Sequence, residues 1–156
     1  MPTHFRPATS ADIDACITLR GQTSENAISR QQLADLGITL ASWGAEVDSG
    51  QLVGQLGVSS TGIVGYCFGD TGTGEIVVLA LLPQAERQGL GKALLARVVS
   101  QLLALGHGRL FLACSNDPAV RSYGFYRHLG WRSTGAIDGR GDELLELIAA
   151  GQTTQP

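Results

Sequence analysis

The stretch GEIVVLALLPQAERQGLGKA, residues 74–93, decides the fold of this 156-residue chain. Seven consecutive apolar residues, 76–82, end at Pro83 and predict a central strand that is buried on both faces. A loop with two glycines follows, and apolar residues at helical spacing begin at Leu90. A strand that runs through a glycine loop into a helix is typical of sites where main-chain amides hold an anion.

The two glycines of this loop, Gly89 and Gly91, have no Cβ, so a ligand can approach the backbone of residues 87–93 closely. The helix that begins there contributes unpaired N–H groups and the positive end of its dipole. Arg87 and Lys92 add neutralising charge. The loop therefore suits a phosphate or a diphosphate; the alternative is that its glycines only turn the chain.

Two nucleotide-binding motifs are excluded at this loop. A Walker A loop requires glycine where Glu86 stands and a hydroxyl residue where Ala93 stands. A dinucleotide fingerprint requires a small residue at the position of Leu94 and an acidic residue at the end of a following strand about 20 residues on, and the chain has neither.

Three segments, in order along most of the chain, together resemble the GNAT superfamily of N-acetyltransferases. Residues 79–83 are a strand of the family's L-x-V-x-P type, with Leu81 at the valine position. The family's loop pattern [QR]-x-x-G-x-[GA] is matched by residues 86–91, except that Glu86 takes the first position. The opening R-x-A-x-x-x-D is matched by RPATSAD, residues 6–12. The late element Y-x-x-x-G-[FW] is matched within FYRHLGW, residues 125–131.

The resemblance implies an α/β fold: a GNAT-like mixed central β-sheet, flanked by helices, with a splay between the fourth strand (residues 76–82) and the fifth (residues 109–114). Coenzyme A would lie in that splay, with its pantetheine on the main chain of Leu79 and Leu81. An amide near Ala80 or Leu81 would stabilise the oxyanion. The expected coenzyme contacts in the loop and the later helix are Arg87, Gln88, Gly89, Leu90, Gly91, Lys92, Ala93, Asn116 and Phe125.

Family members often use a tyrosine to protonate the departing thiolate, and Tyr126 matches that position by its distance from Gly130. A tyrosine of pKa about 10 keeps its proton at pH 7 and can give it to a thiolate whose acid has a pKa of about 8.5. Tyr123 is the alternative, because an asparagine that often precedes the family's tyrosine by seven residues is found here as Asn116. For the general base, Glu75 is the candidate and would act through water; otherwise water alone carries the proton away.

The pattern along the chain predicts one domain over residues 1–150 and a flexible tail at 151–156. The element order is β-α-α-β-β-β-α-β-α-β-β, with a mixed signal over residues 38–57 that we assign to helix or loop. The segment NDPAVRSYGFYRHLG, residues 116–130, predicts a helix with a cap residue, Pro118 at its first position and Gly130 at its end.

Composition excludes several classes of protein. A net charge of −3 is not the footprint of a nucleic-acid-binding protein, and the longest apolar run is far shorter than the ~20 residues of a membrane span. The N-terminus lacks the apolar core of a signal peptide. Cys16, Cys67 and Cys114 lie in apolar contexts, which indicates buried free thiols and a cytoplasmic protein.

We therefore predict an acyltransferase that moves an acetyl group from acetyl-CoA, its donor substrate, to a primary amine of a small molecule or peptide, with no metal. Residues 1–80 carry three basic and eight acidic side chains, which favours a cationic acceptor; residues 81–132 carry seven basic and two acidic ones. Family members frequently form homodimers, and a homodimer is accordingly among the expected states. The alternatives are a GNAT-like module that binds acyl-CoA without turnover and an unrelated nucleotide-binding protein.

Overall fold

A computed structural model of the chain describes residues 3–25 and 27–149, and the tail predicted at 151–156 lies outside the described residues. The strands are β1 (His4–Pro7), β2 (Leu52–Ser59), β3 (Gly62–Asp70), β4 (Ile76–Leu81), β5 (Arg109–Cys114), β6 (Arg132–Ile137) and β7 (Glu143–Ile148). The α-helices are α1 (Ile13–Arg20), α2 (Arg30–Asp35), α3 (Leu40–Ser49), α4 (Leu90–Ala104) and α5 (Arg121–His128).

The strands form two antiparallel sheets that meet at one point. The first sheet has the order β1-β2-β3-β4, and the second has the order β5-β7-β6. The two sheets are joined by one parallel bridge, between Glu75 and Phe111, at the start of β4 and near the start of β5. Beyond that bridge β4 and β5 part, so the splay predicted between the fourth and fifth strands is present.

The core lies on both faces of the first sheet. On one face α4 packs through Leu94, Val98 and Leu102, all fully buried, and this cluster continues onto the second sheet through Leu110 and Leu145. On the other face, α1, α2 and α3 cover β2 and β3, with members that include Ile13, Ile17, Leu33, Trp43, Leu56, Tyr66 and Phe68. The apolar spacing that predicted a helix from Leu90 is confirmed, because each residue of that stripe is buried.

Two details of the sequence prediction are wrong. The segment assigned to helix or loop, residues 38–57, holds α3 and also most of β2. The helix predicted to begin at Pro118 begins at Arg121, because Asp117 closes a turn first: its carbonyl accepts from Val120 N, and its side chain accepts from Ala119 N.

The start of the chain is fastened by an ion pair between β1 and the turn that leads into α1. Arg6 donates from both terminal nitrogens to the carboxylate of Asp12, at 2.7 and 2.9 Å. The same carboxylate accepts from the amide of Thr9 at 2.8 Å, and Asp12 is buried. The Arg6 guanidinium holds the pKa of Asp12 below its ordinary value, so this carboxyl is charged whenever the fold is intact near neutral pH.

We expect Asp12→Asn to lower the free energy of unfolding by about 1 kcal/mol at pH 7, because the amide neutralises the ion pair. Since the folded pKa of Asp12 lies below the unfolded one, its stabilisation is present above about pH 4 and is lost as the pH falls through the folded pKa. Urea unfolding across pH 2.5–7 measures this difference. The control is Asp14→Asn, which breaks the exposed ion pair with Arg30 and should change stability little at any pH. An equal loss of stability in both variants would contradict a special role for the Arg6–Asp12 pair.

Candidate active site

The parting of β4 and β5 opens into a cleft of about 530 Å³. One wall is the edge of β4, residues 77–81, and the other is the end of β5, residues 113–115. The loop after α1 and the first turns of α5 close over it from outside. β4 and β5 are parallel neighbours that part toward their carboxyl ends. The cleft therefore lies where open α/β sheets bind their ligands.

The register of β3 and β4 determines which main-chain groups face the cleft. Leu82 donates its amide to Val64 on β3, and alternate residues of an antiparallel strand direct both polar groups to the same side. Ala80 therefore also bonds toward β3, whereas Leu79 and Leu81 direct their N–H and C=O groups into the cleft. Of the residues predicted on this strand, Leu79 and Leu81 are placed to bond a ligand through the backbone, and Ala80 contributes only the surface of the wall.

The glycine loop presents a row of open amides beside the cleft, which Glu86 and Gly91 line. Gly89 has φ +77° and forms the N-cap of α4, with no side chain capping that end. Within the described ranges, the main-chain amides of residues 87–92 donate no hydrogen bond to the protein, as expected for a loop that leads into the first turn of a helix. The amide of Ala93 donates to the carbonyl of Gly89 at 3.1 Å, so the open row ends at Lys92 and Ala93 is not part of it.

The two glycines of the loop serve different purposes. A Cβ on Gly89 would meet no atom within 4 Å, so this residue is glycine because of its left-handed backbone and leaves the approach to the amides clear. A Cβ on Gly91 would lie 3.3 Å from Leu81 Cδ1 and 3.5 Å from Phe125 Cζ. Gly91 therefore allows α4 to pack closely on β4 and on α5.

Arg87 adopts a conformation that a side chain rarely takes. Its φ is +64°, and among the described residues it is the one non-glycine residue with a positive φ. Backbone strain of this kind, about 1–2 kcal/mol for an L-residue, collects at functional sites. The strained residue lies at the start of the open row of amides.

Tyr126 lines the cleft. The residue is 8% exposed and packs edge-on against Phe125 and Trp131, with ring centroids 5.0 and 6.1 Å away. Burial raises the pKa of the Tyr126 hydroxyl well above its ordinary value, so the group is protonated at any physiological pH. Tyr123, the alternative acid, does not line the cleft; its ring lies under the Arg127 guanidinium at 3.7 Å.

Eight of the predicted site residues do not line the cleft: Glu75, Asn116 and, in the glycine loop and the start of α4, Arg87, Gln88, Gly89, Leu90, Lys92 and Ala93. Glu75 lies at the closed end, where its main chain forms the bridge to Phe111; burial, with a smaller effect of Asp70, raises the pKa of its carboxyl. Asn116 lies in the turn between β5 and α5 rather than in the helix. Phe125, by contrast, lines the cleft together with Tyr126.

Four polar residues of the cleft were not foreseen as a group. Arg121 pairs with Glu86 at 2.7 Å, and Ser24 donates to the other oxygen of Glu86, also at 2.7 Å. The carboxylate of Glu25 accepts from the amide of Arg121 at 3.2 Å. In the sequence, Glu86 is recognisable only as a departure from the family's loop pattern. No local sequence pattern relates it to residues 24, 25 or 121.

The charges of the lining are balanced. The lining includes three arginines and three carboxylates, which are Arg20, Arg121, Arg140, Glu25, Glu86 and Asp142. The acidic excess of residues 1–80 is therefore not concentrated in the cleft.

Residues 3–25 and 27–149 hold neither a cluster of metal ligands nor a membrane-spanning helix. No group of three or more histidine, cysteine, aspartate or glutamate side chains is arranged to hold a metal ion there. In the same ranges, no helix combines the length and the apolar character that crossing a membrane requires.

Comparison with known proteins gives a family and a fold. A family model described as the acetyltransferase (GNAT) family matches residues 15–131, whereas curated protein sequences give no significant match. The PaiA N-acetyltransferase from Thermoplasma acidophilum, solved in complex with coenzyme A, is similar with a TM-score of 0.80 and 17% identity over 96% of this chain and 100% of that one.

Two other solved structures are similar over nearly their whole length. A phosphinothricin acetyltransferase from Sinorhizobium meliloti, in complex with acetyl-CoA, has a TM-score of 0.70 and 19% identity, covering 100% of this chain and 94% of that one. An N-acetyltransferase from Staphylococcus aureus has a TM-score of 0.73 and 12% identity, covering 95% and 99%. At these identities the likeness shows the fold alone.

We expect Arg87→Gly to be more stable than Arg87→Ala by about 1 kcal/mol, because glycine adopts φ +64° without the steric cost of a Cβ. Both variants lose the same guanidinium, so their difference isolates the backbone. Thermal and urea unfolding of the two proteins measure it. An alanine variant at least as stable as the glycine variant would show that residue 87 is not strained.

Proposed function

The chain belongs to the GNAT family of acetyltransferases, and from this we propose that it moves an acetyl group from acetyl-CoA to a primary amine of a small molecule or peptide by direct attack. One observation carries the proposal. Two neighbouring parallel strands part beyond a single bridge, and the cleft so formed borders, at Glu86 and Gly91, a loop whose main-chain amides are open. A thioester attached to a long diphosphate-bearing arm matches both features, since the diphosphate suits the amides and the arm suits the cleft.

We assign the donor contacts from the main chain of two segments. Leu79 and Leu81 would bond the pantetheine as a neighbouring strand does, because their polar groups face the cleft. The diphosphate would bond the amides of residues 87–92, near the charges of Arg87 and Lys92. Phe125, which lines the cleft, would add an apolar contact, while Asn116 belongs neither to the lining nor to the row of open amides and is the weakest of the predicted contacts.

The reaction joins a neutral amine to the thioester carbonyl, passes through an oxyanion and releases a thiolate. For the oxyanion we assign the outward-facing amide of Leu81 in place of Ala80, because the Ala80 amide is directed to β3. For the thiolate we assign Tyr126 as general acid, since its buried hydroxyl keeps its proton and lines the cleft.

The amine proton would leave through water. Glu75 has the raised pKa that suits a base, yet it lies at the closed end of the strands, so it would act only through a chain of water molecules. We therefore propose that water accepts the proton first, with Glu75 as a candidate for its final destination.

The acceptor would meet the loop after α1, because residues 23–25 and 27–28 line the outer part of the cleft. A cationic acceptor such as a polyamine, an aminoglycoside or a lysine side chain was expected from the acidic first half of the chain. The balanced lining of the cleft does not add to that expectation, so we leave the acceptor as a primary amine.

The test is thiol release from acetyl-CoA in the presence of a panel of amines, amino acids, peptides and aminoglycosides, with product identified by mass. We expect saturable, amine-dependent release with at least one member of the panel. Tight binding of coenzyme A in calorimetry with no product from any amine would instead identify a module that binds acyl-CoA without turnover. Protection of the fold by ATP or NAD but not by coenzyme A would overturn the proposal.

We expect Tyr126→Phe to lower kcat about 100-fold or more while the affinity for coenzyme A stays near that of the unmodified protein. The ring contacts with Phe125 and Trp131 are kept, so only the hydroxyl is removed. Tyr123→Phe is the matched control, because it removes a hydroxyl three residues away and outside the cleft lining. Loss of rate in the Tyr123 variant alone would transfer the acid role to that residue.

A further inference from the structure

A polar bridge of four side chains crosses the mouth of the cleft, and the function proposed above does not use it. Arg121 at the start of α5 pairs with Glu86, which comes directly before the open row of amides. Ser24 also bonds Glu86, and Glu25 accepts from the Arg121 amide. We call Ser24, Glu25, Glu86 and Arg121 the mouth bridge; all four line the cleft.

The position of Glu86 is unfavourable for a ligand that carries a diphosphate. Its backbone leads directly into Arg87, so its carboxylate is a negative charge beside the amides that would hold a second, larger negative charge. Its one strong neutralising contact in the described residues is Arg121, at 2.7 Å. The anion-binding end of the cleft thus already holds an anion of its own, paired with a cation.

Arg121 is able to change partners. Its side chain is 43% exposed, whereas that of Glu86 is 21% exposed, so the guanidinium is the less enclosed member of the pair. A guanidinium also has five donors in a planar fork that matches phosphate oxygens as well as a carboxylate. Its partner Glu86 directly precedes residues 87–92 in the chain, so a phosphate held on those amides is a candidate second partner for the guanidinium.

We propose that Glu86 is an internal competitor of the coenzyme's diphosphate for Arg121, so that Arg121 becomes a phosphate ligand when the coenzyme binds. This inference rests on the proposed use of acetyl-CoA. It assigns Arg121 as a residue that strengthens coenzyme binding and Glu86 as a residue that weakens it, although the two are partners in one ion pair.

The two assignments predict effects of opposite sign. Glu86→Gln keeps a group that can accept from Ser24 and removes the competing charge, so it should tighten coenzyme A binding, by roughly threefold or more. Arg121→Gln should weaken it by a similar or larger factor, on the order of threefold to tenfold. If the pair only supported the fold, both variants would weaken binding.

Calorimetry with coenzyme A measures both effects, and pantetheine, which has no phosphate, is the control ligand whose affinity neither variant should change. The control variant is Glu146→Gln, which removes a carboxylate from a comparable exposed pair with Arg109 and changes the net charge equally. It should leave the affinity for coenzyme A unchanged.

The outcomes distinguish a failure of the proposed function from a failure of the inference about Glu86 and Arg121. Should the unmodified protein bind no coenzyme A, the proposed function fails and the inference fails with it. Should it bind, but Glu86→Gln bind equally or more weakly, the inference is overturned and the proposed function stands. Thermal unfolding of each variant identifies any loss of fold in Arg121→Gln, in which case the sign of the Glu86→Gln effect still decides.

Discussion

The separation of β4 from β5 is the constraint on which the rest of the structure depends. Paired strands satisfy their main-chain polar groups mutually, and an edge inside a domain leaves those groups to be satisfied in another way. Here a single bridge at Glu75 and Phe111 joins the two strands, and the groups of Leu79 and Leu81 face an open space. The apolar cluster beneath α4 extends across both sheets, so the two halves pack as one core although their strands part.

The sequence predicted what local patterns can predict. The apolar run that ends at Pro83, the stripe that begins at Leu90 and the two glycines between them were enough to place β4, the loop and α4. The R-x-A-x-x-x-D element corresponds to a contact within seven residues, between Arg6 and Asp12. Each of these features has its cause close by in the chain, which is why pattern analysis could find it.

What escaped prediction has its cause far away along the chain, or depends on competition between two local structures. Ser24 and Glu86 are 62 residues apart, and no periodicity relates them before the chain folds. The start of α5 was misplaced because Asp117 and Pro118 are equally suited to a helix cap and to a turn. In the structure they form a turn, and the helix begins after it. The beginning of β2 was hidden because alternating glycines and polar residues weaken its apolar pattern, although Leu52 and Leu56 are buried.

The close packing around Gly91 limits which side chains fit at that position. Gly91 is the point at which α4 meets Leu81 on β4 and Phe125 on α5: an added Cβ would be closer to Leu81 than ordinary packing allows and in ordinary contact with Phe125. The volume of the side chain at residue 91 therefore limits how closely α4 can approach β4 and α5. A residue larger than glycine would have to displace the ends of the Leu81 and Phe125 side chains, and both of these residues line the cleft.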